Sequence, residues 1–147
     1  MFDEDPSGVR VGCDLPNIAG YVVSAQGRTA DLQVQPIPNP IFEITMGRYQ
    51  AALRDFPDGI DRYGIMASAI PSVLLVKQQS IETAESLGFE VAYSYDYQTQ
   101  GETGWANFVR EMEAADIQIL EFIGQPQNLI ELTDAMDVAG WYPEVIL

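Results

Sequence analysis

Tyr63-Gly64-Ile65-Met66-Ala67, Phe89-Glu90-Val91-Ala92-Tyr93-Ser94-Tyr95 and Ile117-Gln118-Ile119-Leu120-Glu121-Phe122-Ile123 are the three stretches that decide the fold. Each is a short apolar run that ends in a polar loop. Each is followed by an amphipathic stretch, then by Gly or Asp, then by the next apolar run. A fourth run, Val145-Ile146-Leu147, closes the chain. Strands alternating with helices of this length are βαβ crossovers, and crossovers build a parallel sheet. The expected fold class is therefore α/β: three layers, a mostly parallel sheet with helices on both faces. Such sheets bind ligands at the carboxyl ends of their strands, so the pattern says where to look for a site.

Helical periodicity fills the gaps. Trp105, Phe108, Val109 and Met112 follow i, i+3, i+4, i+7, the spacing of one buried helix face. Leu129, Leu132, Met136 and Ala139 mark a last helix, with Gly140 placed to end it. Pro71 suits the first turn of a helix running to about Leu87, with Gly88 as its cap. Residues 43–56 predict a further helix, stopped by Pro57-Asp58-Gly59. Upstream, Val9–Cys13 and Leu32–Gln35 read as short strands, and Asp14–Asp31 as loop with at most a short helix. Pro36-Ile37-Pro38-Asn39-Pro40 puts three prolines in five residues. That stretch suits neither a helix interior nor a central strand, so it reads as an extended connector between lobes.

Composition removes several functions. The 147 residues suit one domain, and 47% hydrophobic content is that of a globular protein. With 22 acidic side chains against 7 basic ones the net charge is −15, which argues against nucleic acid or an anionic membrane as partner. There is no histidine, so Ser-His-Asp and Cys-His catalysis and His-ligated zinc are excluded. The single cysteine, Cys13, has no internal disulfide partner and is expected as a buried, inert thiol. No apolar run approaches the length of a membrane span, and the acidic start, Met1-Phe2-Asp3-Glu4-Asp5, is not that of a secretory signal. No phosphate-binding loop, dinucleotide fingerprint, nucleophile elbow, Cys-x-x-Cys or calcium-loop spacing occurs. No cofactor or metal is called for, and Lys77, the only lysine, lies inside a predicted helix.

What remains are three loops at strand carboxyl ends: Ser68–Ser72, Asp96–Gly101 and Gly124–Asn128. They offer hydroxyls, amides and tyrosines and almost no full charges. That chemistry holds polar small molecules through hydrogen bonds and does not break bonds. The candidate ligand contacts are Ser68, Ser72, Tyr97, Gln98, Gly124 and Gln125. Ser72 and Asn128 have an alternative use as helix caps, and Asp96 reads as an exposed loop carboxylate.

From about Asn39 onward the chain resembles lobe two of the type I periplasmic solute-binding proteins, the branched-chain amino-acid-binding group of ABC importers. A Pro-rich crossover leads to a helix and to the strand Tyr63–Ala67. A helix ending near Leu87-Gly88 precedes Phe89-Glu90-Val91. Gly104-Trp105-Ala106-Asn107-Phe108 is similar to that family's Gly-x-x-aromatic helix start, and Ala114-Ala115-Asp116-Ile117-Gln118-Ile119-Leu120 to its turn into the next strand. Phe122-Ile123-Gly124-Gln125 and Ala139-Gly140 continue the order. The resemblance implies a two-lobe clamp that closes on a solute. Residues 1–38 would be the end of lobe one and the crossover, and residues 39–147 an incomplete lobe two. It implies ligand contacts near Ser72 and Gln125, where amino-acid binders often place tyrosines. It also implies a non-catalytic role with an amino acid or similar polar solute and an ABC permease as partners, and a periplasmic or extracellular location, membrane-associated in the full-length protein. Exposed edges of a partial sheet would open the way to homodimerisation. The competing reading is a cytoplasmic α/β sensor or protein-interaction domain that uses its acidic face. An enzyme with a carboxylate-held metal stands third.

Overall fold

The computed structural model describes residues 2–3, 12–13, 15–18, 21–22, 28–29, 31–34 and 44–147. The chain divides into two compact units, Met1–Ile44 and Thr45–Leu147. The proline connector, Pro36–Pro40, lies outside the described residues, as does most of Val9–Cys13.

In the first unit, strand β1 (Phe2–Asp3) pairs in parallel with β3 (Tyr21–Val22), and β2 (Asn17–Ile18) in parallel with β4 (Gln33–Val34). The short strand expected near Leu32–Gln35 is present as β4. Asp14–Asp31 was expected as loop, yet it contributes β2 and β3. Cys13 corrects the sequence reading: Gly12 is helical, Cys13 forms a turn, and the thiol is exposed. A cysteine placed in a turn, outside a strand ladder, is not covered by a neighbouring element.

The second unit holds helix α1 (Gly47–Asp55), a 3-10 turn (Pro57–Arg62), β5 (Tyr63–Ser68), α2 (Pro71–Ser86), β6 (Val91–Tyr97), α3 (Trp105–Ala114), β7 (Ile119–Ile123), α4 (Pro126–Ala139) and β8 (Val145–Ile146). Its four strands form one sheet in the order β6-β5-β7-β8, and every pairing is parallel. The α/β expectation holds. Central β5 is buried at all six positions, which is why its sequence is continuously apolar and does not alternate.

Two strands begin later than the apolar runs suggest. Phe89 and Glu90 do not enter the ladder: Glu90 N–H donates to Ile60 O and Tyr63 N–H to Glu90 O. Ile117 and Gln118 likewise lead in, with Gln118 N–H donating to Arg62 O. Consequently β6 extends to Tyr97, and Asp96 and Tyr97 are strand residues, not loop residues.

Alternation along the parallel strands sorts the side chains between two faces. Met66, Tyr97 and Leu120 pack with Trp105, Phe108, Val109 and Met112 of α3 and Leu132 and Met136 of α4 in one core cluster. All four residues of the α3 stripe are buried. The opposite face, with Tyr63, Ile65 and Glu121, receives α1 and α2 through Tyr49 and Ser80. Helix α4 ends at Gly140, whose φ of 67° is left-handed; Trp141 N–H then reaches back to Met136 O at 3.2 Å and satisfies the helix end.

Candidate functional site

Because every strand of the second unit runs the same way, the loops after β5, β6 and β7 share one edge of the sheet. Neighbouring strands β5 and β7 send their chains to opposite faces: β5 leads into α2, β7 into α4. That divergence makes their carboxyl ends a topological switch point, the position where open α/β sheets take ligands.

Hydrogen bonds stitch the rim. Ala69 N–H donates to Tyr97 O at 2.8 Å, tying the β5 loop to the end of β6. Asn128 Nδ2 donates to Thr99 O at 3.3 Å, tying the start of α4 to the β6 loop. The Glu102 carboxylate accepts from the backbone N–H groups of Gln98, Thr103 and Gly104 at 2.8–3.0 Å and so folds that loop over the start of α3. Burial works to raise the Glu102 pKa, but these three donors prevail and hold it below the usual carboxylate value.

The six candidate contacts fall at this edge in three settings. Ser68 ends β5 and is 1% exposed. Tyr97, expected on a loop, is fully buried as the last residue of β6, in register with Ser68. Its ring lies between Trp105 and Phe122, with centroids 5.2 Å away in both cases. Its hydroxyl sits against Gly124, where an added Cβ would fall 1.6 Å from Oη. Gly124 is therefore more than a turn residue: only the absence of a side chain lets the phenol pass beneath it. Burial pushes the Tyr97 pKa up to about 12, with the Gln125 backbone and the Ser68 hydroxyl pulling the other way. These groups lie close to Oη without reaching hydrogen-bond geometry, and Tyr97 Oη has no hydrogen-bond partner among the described residues. Gln98, Gly124 and Gln125 are exposed.

Ser72 is half-buried in the first turn of α2, and neither it nor Asn128 caps a helix through its side chain. The N-cap positions are Ile70 and Gln125, without side-chain cap bonds. Ser72 Oγ and Asn128 Oδ1 are buried and lack partners among the described residues. Asp96 is not a free loop carboxylate: it accepts from Lys77 Nζ at 2.5 Å. That pair keeps the chain's only lysine largely out of solvent.

Sequence reasoning did not single out Glu121. It stands mid-strand in β7, 1% exposed, and is the acceptor for four donors. Tyr49 Oη and Tyr63 Oη approach Oε2 at 2.8 and 2.5 Å, and Ser80 Oγ and Arg48 Nη2 approach Oε1 at 3.0 and 2.7 Å. Burial first, then the Glu121 charge, raises the Tyr49 pKa to about 12, and the same two causes raise that of Tyr63 further. The hub joins α1, α2, β5 and β7 on the face opposite the aromatic core. Its charge is satisfied inside the fold. The one sequence signal for it is an acid within an apolar run.

Among the described residues no group of three or more carboxylates or thiols could hold a metal ion, and no helix is long and apolar enough to cross a membrane.

No family model matches the sequence, and no curated protein matches it as a relative. Solved structures do share the fold. A periplasmic binding protein from Burkholderia mallei superposes with a TM-score of 0.69 at 10% identity, over 92% of this chain and 36% of its own. The leucine-, isoleucine-, valine-, threonine- and alanine-binding protein of Brucella ovis, in its closed conformation, gives 0.66 at 13% identity, over 88% of this chain and 33% of its own. A solute-binding protein of an ABC transporter from Rhodopseudomonas palustris BisB5, in complex with 3,4-dihydroxybenzoic acid, gives 0.62 at 12% identity, over 90% and 35%. The chain thus spans about a third of the length of these structures. At that identity the likeness speaks for the fold alone: the α/β architecture of this chain is shared with the matching part of these periplasmic and solute-binding structures.

Proposed function

We propose that the chain is part of the solute-binding component of an ABC importer, with residues 39–147 forming an incomplete lobe two and residues 1–38 the end of lobe one and the crossover. The observation that carries this reading is the switch point between neighbouring parallel strands β5 and β7, whose chains leave the same sheet edge into helices α2 and α4. Ser68, Ser72, Gln98, Gly124 and Gln125 stand where strands end and helices begin at this carboxyl edge, with Tyr97 packed under Gly124. Hydroxyls, amides and main-chain groups recognise a small polar solute without transforming it, so the role is binding and not catalysis. The likeness to structures of solute-binding proteins supports the same reading.

In the mechanism, solute bridges two lobes. Its contacts exist only in the closed state, so binding shifts the population toward closure, and the closed form docks on a membrane permease. The work is done outside the cytoplasm, in the periplasm or at the cell surface. The solutes named for the similar structures, small amino acids from alanine to leucine and a dihydroxybenzoic acid, mark the size of molecule expected.

Because one lobe supplies only part of the contacts, the chain alone should bind weakly. Titration calorimetry of the 147-residue chain against amino acids and aromatic acids tests this. Millimolar or weaker affinity is expected, about −4 kcal/mol or less favourable. Submicromolar binding by this chain alone would contradict a shared, two-lobe site.

A further inference from the structure

Each crossover helix of the second unit ends where the next strand begins. The ends of α2, α3 and α4 and of the 3-10 turn therefore gather at the amino edge of the sheet, opposite the candidate site. That edge collects carboxylates. Asp58 and Asp61 precede β5, Glu85 and Glu90 precede β6, Glu113 and Asp116 precede β7, and Asp137 and Glu144 precede β8. All of them are exposed.

Their placement opposes the helix dipole. A helix C-terminus is the negative end and favours cations. Yet the last turns of α2, α3 and α4 hold Glu85, Glu113 and Asp137, and none holds a basic residue. The first turns, where a carboxylate would be stabilised, hold no acid. Few cations offset the charge, since 7 basic side chains face 22 acidic ones. Arg48 is bound to Glu121, Arg54 to its neighbour Asp55, and Lys77 to Asp96. Arg110 turns back onto Ala106 O and Asn107 in its own helix. Arg62 does serve this edge, 2.7 Å from Asp116 and 3.8 Å from Asp61. Asp58, Glu85, Glu90, Glu113, Asp137 and Glu144 have no ion pair among the described residues. The chain's only lysine is 8% exposed, so lysine adds almost nothing to the solvated surface.

Neighbouring strands lie about 4.8 Å apart, which makes the four-stranded edge about 14 Å wide. Charges are screened over about 10 Å in 0.1 M salt and over about 3 Å in 1 M salt. In dilute buffer the carboxylates of adjacent strand ends thus repel one another and the negative helix ends beside them. Self-repulsion of this kind opposes the compact state. We infer that the fold is adapted to concentrated salt: it reaches full stability only when cations at about 1 M screen the amino edge, and it loses that stability in dilute buffer.

Thermal unfolding of the 147-residue chain in KCl, followed by far-UV circular dichroism, tests this. The midpoint should rise by at least about 10 °C between about 0.1 M and about 2 M KCl. A chain that is unfolded at the low concentration and folds at the high one is the limiting form of the same result. The double variant Glu85→Lys with Glu113→Lys puts cations at two negative helix ends, at exposed positions. It should melt about 5 °C above the unsubstituted chain in dilute KCl, and its rise with salt should be about half as large. A midpoint that does not move with KCl would overturn the inference. An equal rise in the double variant would overturn it as well, because salt would then act on apolar burial in general and not on this edge. So would full stabilisation by millimolar MgCl2 in dilute buffer, which marks one bound cation in place of screening.

Discussion

Replacing Glu121 with alanine removes the acceptor on which Arg48, Tyr49, Tyr63 and Ser80 converge. Breaking a buried ion pair by deleting one partner costs about 3–5 kcal/mol. Arg48 keeps 34% of its side chain in solvent and can turn outward, whereas the Glu121 side chain is 2% exposed, so the ion-pair part belongs at the low end, about 3 kcal/mol. The stranded Tyr49 and Tyr63 hydroxyls add about 1 kcal/mol after relaxation. The sum, about 4 kcal/mol, is a large share of a total stability of about 5–15 kcal/mol. With a urea slope of about 2 kcal/mol/M the unfolding midpoint falls by about 2 M. Urea titration followed by far-UV circular dichroism measures this directly. Glu121→Gln keeps the shape but not the charge and should lose about half as much. The double variant Arg48→Met with Glu121→Leu removes both charges and should recover most of the loss. A midpoint for Glu121→Ala within about 0.5 M of the unsubstituted chain would refute the hub as a stabilising element.

Other outcomes follow from the same geometry. Gly124→Ala drives a methyl to 1.6 Å from Tyr97 Oη, so it should cost about 1–3 kcal/mol in a thermal melt, and Tyr97→Phe in the same chain should restore part of it, since Cζ would still lie 2.9 Å from the methyl. Leu132→Ala, at a fully buried position between α4 and the sheet, should cost about 2–5 kcal/mol in chemical unfolding. Tyr49 and Tyr97 are held neutral by burial, with folded pKa values raised from 10.0 to about 12. The unfolded chain ionises first as pH rises, so stability should fall from pH 10 toward 12, and Tyr97→Phe should flatten that fall in unfolding curves taken across the range. Glu102→Gln weakens the bonds from Gln98, Thr103 and Gly104, and hydrogen exchange at those amides should accelerate while the β5 amides stay protected.

The alternation of elements was legible because a parallel strand covered on both faces is largely apolar, and β5, buried at all six positions, is apolar up to its final Ser68. The α3 stripe was legible because all its residues point into one core. Strand starts were not. Phe89 and Ile117 are as apolar as strand residues, but they belong to the approach, where the chain bonds to the 3-10 turn before joining the ladder. The same slip placed Asp96 and Tyr97 on a loop, although the structure puts both in β6. The candidate site was legible as a set of loops, since parallel order alone brings them to one edge. Its interior was not, because Gly124 accommodates a tyrosine from a strand two places away in the sheet. The Glu121 hub was invisible for a related reason: its hydroxyl partners lie 41 to 72 positions away in sequence, where no local pattern reaches.

A 15N-edited NOESY spectrum of the folded chain addresses the central claim most directly, namely that the turns after β5, β6 and β7 meet along one rim. The account predicts cross-peaks between the Ala69 amide and Tyr97 or Gln98, and between the Asn128 side-chain amide and Thr99 or Gln100, matching the 2.8 and 3.3 Å hydrogen bonds that stitch the edge. Cross-peaks tying Asn128 to the start of β5 or β6 instead, with none to residues 97–100, would set these turns at opposite ends of the sheet and remove the shared rim.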